Sequence, residues 1–150
     1  MAETVLFVIP QDPFFVPEPS AREAAEALAR QLLPDAEAIA VSVSARPQFF
    51  DAGEAAVAVR CPEGGKRLDM DWWADLMEED FDGEGFRLEA HPSPCGRAVT
   101  LAELVYEAPQ GFARCAVAIA NPGISALDES ALAAFAEALG GPVTAVYQVL

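Results

Sequence analysis

The sequence predicts an α+β domain: a mixed-sheet α/β sandwich in the order β-α-β-β, insertion, β-α-β. Three observations predict it. Apolar, β-branched runs alternate with helix-period segments near both ends of the chain. Proline and glycine punctuate the joints between them. Residues 61–98 break the rhythm and carry two cysteine-bearing turns. At 150 residues and 53% hydrophobic content, the chain is one domain with a real core, 1–150, and the insertion lies within it.

Thr4 to Ile9 is apolar, β-branched and closed by Pro10, which reads as a buried first strand. Pro10, Pro13, Pro17 and Pro19 exclude helix or central strand from the next ten residues. Ser20-Ala21-Arg22-Glu23 has the form of a capping box, and the helix it opens places Ala21, Ala24, Ala25, Leu28 and Leu32 inward before Pro34. Residues 37–44 alternate as a strand, with Ile39, Val41 and Val43 on one face. Ala55 to Arg60 reads as a third strand. Thr100-Leu101-Ala102-Glu103 is a second capping box, opening a short helical turn. Ala113 to Ala120 is an apolar strand and Asn121-Pro122-Gly123 a turn. A helix follows from about Ala126 to Leu139, with Leu132, Phe135, Ala136 and Leu139 inward. Gly140 is its left-handed terminator, and Val143 to Val149 is the last strand.

The turns around Cys61-Pro62-Glu63-Gly64 and Pro94-Cys95-Gly96 have the shape of zinc-ribbon knuckles, each with one cysteine where a knuckle carries two. The insertion is therefore expected to be a degenerate zinc-ribbon-like hairpin. Cys61, Cys95 and His91 are the candidate metal ligands, with Glu63 as a substitute. Without metal, the two cysteines are neighbouring thiols; a disulfide between them is unusual in a reducing cytosol. Cys115, inside an apolar strand, reads as a small buried hydrophobe.

Between the turns, Asp69 is placed to cap a helix that carries Trp72, Trp73, Leu76 and Met77 on one face. Asp71, Asp75, Glu78, Glu79 and Asp82 lie opposite, with no base among them. This face is either a partner-binding surface or a solvated back to an apolar stripe. The loop Gln11-Asp12-Pro13-Phe14-Phe15 follows the first strand, where ligands of open α/β sheets gather. Asp12, Phe14 and Phe15 thus line a pocket or contact patch, or form a lid that buries one ring.

Cys61-Pro62-Glu63-Gly64, the segment from Leu68 to Trp73, Ser93-Pro94-Cys95-Gly96, the segment from Leu101 to Tyr106, the segment from Pro109 to Arg114 and Asn121-Pro122 together resemble a group of uncharacterised bacterial proteins. That group has Cys-Pro-x-Cys-Gly, a Trp-bearing helix, Pro-Cys-Cys-Gly and a Gly-Phe-Ala-Arg strand. The resemblance spans about residues 60–122 and implies a fold and a zinc site, not a reaction. Gly64 and Pro94 stand where two of the four cysteines would be.

Twenty-four acids against nine bases leave a net charge of −15. Such a surface repels phosphate backbones and anionic lipid, so nucleic acid and membrane are poor partners and a basic protein is the electrostatically suited one. No apolar run reaches the ~20 residues of a membrane span. The N-terminus has no basic, cleavable leader, and three cysteines are too few for a secreted scaffold, so a cytoplasmic protein is expected. The single histidine, the absence of a Gly-x-Ser-x-Gly elbow and the absence of a phosphate loop make a non-enzymatic interaction or regulatory domain the leading expectation. A zinc-binding protein with a partial site and a small carboxylate-using enzyme behind Asp12 are the alternatives.

Overall fold

A computed structural model places residues 3–52 and 58–149. The first strand, β1 (Thr4–Pro10), ends at the predicted proline. Helix α1 (Pro19–Leu32) starts two residues earlier than the Ser20 capping box implies. Pro19 occupies the first turn, where its missing N–H costs nothing, and Glu18 is the N-cap without a side-chain bond. Its inward face is also shifted: Ala25, Ala29 and Leu33 are buried, while Ala24 and Leu32 face solvent. The repeat of four from Ala25 tracks the core, and the predicted stripe runs beside it.

Strand β2 (Ala38–Phe50) runs six residues past its predicted end. It pairs with β5 (Gly111–Ala120) through an irregularity between Val43 and Gln48, where Arg46-Pro47 interrupts the alternation. Of the predicted strand from Ala55, residues 55–57 lie outside the described ones; Val59–Arg60 forms the short β3. The insertion holds α2 (Met70–Asp80), a 3-10 turn at Leu101–Glu103 and β4 (Val105–Tyr106), which pairs with β3. The capping box at Thr100 and Glu103 forms as predicted. Helix α3 (Glu129–Leu139) begins three residues later than predicted, because Asp128 accepts the Ala131 N–H at 2.8 Å and sets the N-terminus there. Gly140, at φ 95°, terminates it, and β6 (Val143–Val149) follows.

The main sheet has the order β2-β5-β1-β6, and every neighbouring pair is antiparallel. The expected mixed sheet is thus an antiparallel one. Each β-α-β unit is split by a strand of the other: β5 lies between β1 and β2, and β1 between β5 and β6. This is the split β-α-β, or ferredoxin-like, topology, with the insertion replacing the turn between its second and third sheet strands. Interleaving makes each helix crossover span a neighbouring strand, so its two parallel strands never pair with each other.

Two cores result. Leu6, Val8, Val117 and Ile119 face α1 and α3 and pack on Ala25, Ala29, Phe135 and Leu139. The insertion builds its own core from Val59, Leu68, Leu76, Val99 and Leu101, closed by Trp72 and Trp73. The outer half of the β2–β5 hairpin belongs to this second core. Phe49 and Phe112, opposite each other in the ladder, stack at 4.8 Å and touch Trp73 and Tyr106.

Candidate functional site: a pinned acidic helix on a stapled insertion

Helix α2 is held at both ends and along one side. At its start, the Asp69 carboxylate accepts the Asp71 N–H at 2.8 Å. At its end, Asp82 pairs with Arg46 of β2, and Phe86 donates its N–H to the Pro47 carbonyl at 2.9 Å. Gly85 allows this approach: a Cβ there would sit 2.6 Å from the Arg46 Cβ and from the Pro47 oxygen. Along the inner side, Leu76 is buried and Trp72, Trp73 and Met77 are half-buried against the insertion core, as the helical spacing predicts.

Sequence reasoning missed the helix's most unusual residue. Asp80 is 0% exposed, the one fully buried charged side chain among the described residues. Its Oδ2 accepts the Leu88 N–H at 2.7 Å, and its Oδ1 accepts from the Glu89 N–H at 3.1 Å and pairs with His91 Nε2 at 3.0 Å. A buried carboxylate is tolerable only with such a complement of donors. The signal was present in the periodicity: Asp80 follows Trp73 by seven residues and Leu76 by four, which places it on the apolar stripe.

The opposite face differs in every respect. Asp71, Asp75, Glu78 and Glu79 are exposed, and among the described residues none of them has an ion-pair partner. Among the described residues, five of the eight arginines pair with acids elsewhere. The two acids whose pKa is lowered are not on the helix: Asp82 lies just after it and Glu103 in the 3-10 turn. The Glu84 and Gly85 amides, with Arg46, lower Asp82, and the Thr100 amide, with Arg97, lowers Glu103.

The two cysteine turns are tight, as expected, and they meet. Each closes a small bridge, Arg60 to Arg67 around the first and His91 to Val99 around the second. Gly64, Gly65 and Gly96 supply the left-handed positions. Cys61 and Cys95 are joined in a disulfide with Cα atoms 5.8 Å apart. Both sulfurs are therefore committed to each other and His91 to Asp80, so the three predicted ligands do not form a donor set in this state. Among the described residues no group of three or more His, Cys, Asp or Glu is placed to hold a metal. A zinc ion would require the reduced pair. Cys115 is buried and free, and burial pushes its thiol pKa up.

The proline loop separates its predicted residues. Asp12 is exposed and folds onto its own turn, accepting the Phe14 N–H at 3.0 Å. Phe14 is 54% exposed, whereas Phe15 is half-buried beside Gly140 at the end of α3. Phe15 thus packs at the end of α3, whereas Trp72 and Trp73 pack against the insertion core and Asp75 and Glu79 are exposed on α2, so the loop and helix residues are not brought together. Beside the loop, a cleft of about 190 Å³ opens between the main sheet and the insertion. Ile9, Gln11 and Thr144 line one wall and Leu104, Tyr106 and Gln110 the other, with no carboxylate among the described lining residues.

The architecture is thus a split β-α-β sheet that carries a stapled, acidic-faced insertion. No protein-family model, curated protein or solved structure matches this chain. Among the described residues no helix is long and apolar enough to cross a membrane.

Proposed function

We propose that the chain is a non-enzymatic interaction or regulatory domain that presents the outer face of α2 to a basic protein partner; the Cys61–Cys95 disulfide counts against the expected reducing cytoplasm. One observation carries this reading: Asp71, Asp75, Glu78 and Glu79 stand exposed and uncompensated on a helix whose other side is locked by Asp80 and two tryptophans. Like charges at helical spacing cost a few tenths of a kcal/mol per pair, and a cationic partner removes that cost. A rigid face also loses little entropy on docking. The insertion reads as a ribbon whose knuckles have lost two cysteines, with the Cys61–Cys95 bond holding the turns together in place of a metal. The resemblance of residues 60–122 to the Cys-Pro-x-Cys-Gly group supports this.

The test is affinity capture from a lysate of the native source, comparing wild type with a variant in which Asp71, Asp75, Glu78 and Glu79 become their amides. A basic protein retained by wild type, lost by the variant and weakened between low and moderate salt is the expected result. Retention unaffected by the four substitutions, or by salt, overturns the proposal, as does a blank at low salt.

A further inference from the structure

The geometry points to the cleft between the main sheet and the insertion as a binding site for a small uncharged ligand: one ring carrying an amide-like edge. The cleft exists because the sheet splits. Strand β1 leaves β5 after Val8, whose partner is Val117, but stays on β6 as far as Pro10. The end of β1 therefore diverges from the beginning of β5, and the insertion roofs the gap with Leu104 and Tyr106. Gly111 keeps the floor open, since a Cβ there would already touch Ile9 Cδ1 at 3.4 Å.

In a chain of net charge −15, none of the described residues lining this cleft is formally charged at neutral pH. An ion would lose its water there and gain no counter-charge. The polar side chains are the carboxamides of Gln11 and Gln110 and the hydroxyls of Thr144 and Tyr106, and the orientation of the carboxamides follows from their partners. Gln11 donates through Nε2 to the Val143 carbonyl at 3.2 Å, which can only accept, so its Oε1 is left as an acceptor. Gln110 accepts the Ala52 N–H through Oε1 at 3.2 Å, so its Nε2 is left as a donor. The Tyr106 hydroxyl is already spent on the Leu101 carbonyl at 2.8 Å, and burial raises its pKa far above the ordinary phenol value. It remains a neutral wall. The Gln11 acceptor and the Gln110 donor, with the apolar side chains of Ile9, Leu104 and Phe112, fit a flat molecule with a donor and an acceptor on one edge. The size agrees, since a cavity of about 150 Å³ accommodates benzene. Occupancy bridges the main sheet and the insertion, because the ligand touches β1 and β6 on one side and residues 102–110 on the other.

The probe is benzamide, with benzoate as its charged isostere, titrated into isotopically labelled protein and followed by amide chemical shifts. Saturable shifts confined to residues around Ile9–Gln11, Thr144 and 102–112 are expected for benzamide, with benzoate at least about tenfold weaker. Gln110→Leu is expected to weaken benzamide about tenfold, the loss of one hydrogen bond to the ligand. Gln11→Leu does the same from the opposite wall, so a folding defect in one variant leaves the other decisive. No saturable shift at millimolar benzamide, equal binding of benzoate, or indifference of a folded Gln variant overturns the proposal.

Discussion

Asp80 is where a single side chain organises the insertion. Two backbone amides and one imidazole converge on a carboxylate with no access to water, tying the end of α2 to the 88–91 segment and so to the second cysteine turn. Removing it strands those donors. Asp80→Ala is expected to destabilise the protein by about 3 kcal/mol, the usual cost of orphaning several buried partners. Chemical denaturation measures this, and a loss below about 1 kcal/mol would show that water replaces the carboxylate at little cost. Tyr106 works similarly on a smaller scale: it donates to Leu101 and lies 3.4 Å from the Trp73 indole nitrogen, so the 3-10 turn and α2 share one anchor.

At the scale of elements, caps rather than propensities place the insertion's pieces. Asp82 accepts the Glu84 and Gly85 amides just after α2, and Glu103 accepts the Thr100 amide in its capping box. Both carboxyls have folded-state pKa values below their ordinary ones, because these amides and nearby arginines favour the charged form. Their contribution is therefore complete above the normal carboxylate range and is lost as pH falls through the lowered values, below about pH 4. Melting temperature is expected to drop more steeply with acidification in wild type than in an Asp82→Asn, Glu103→Gln double variant. Parallel curves would assign the acid sensitivity to other carboxylates. Helix α1 carries the complementary lesson. Pro19 sets its start and Ser20 does not, because a proline in the first turn has its φ already fixed for helix.

Across the whole molecule, the two cores differ in what holds them. The sheet core is closed by antiparallel ladders and two helices of the main fold. The insertion has short strands of two residues each, one helix and a 34-residue covalent loop through Cys61 and Cys95. Closing a loop of that size contributes about 4 kcal/mol in the chain-entropy account. Cys61→Ser, Cys95→Ser is thus expected to raise amide exchange across 59–107 by orders of magnitude while α1, α3 and the central strands keep their protection. Loss of protection everywhere at once would make the two cores a single cooperative unit. With Cys61 1% exposed and Cys95 only half-buried, a reductant reaches the bond from the Cys95 side alone.

The element order, the two capped turns at Thr100 and Gly140, the inward tryptophans of α2 and the tightness of both cysteine turns were legible in the sequence, because each depends on residues within a few positions of one another. So was the charge balance, a sum over the chain. The antiparallel interleaving of the sheet, the extension of β2 onto Phe112, the meeting of Cys61 with Cys95, the burial of Asp80 and the split between β1 and β5 were decided by tertiary structure. Each joins segments some eight to a hundred or more residues apart, and only packing determines which of the chemically possible partners a strand, a thiol or a carboxylate finds.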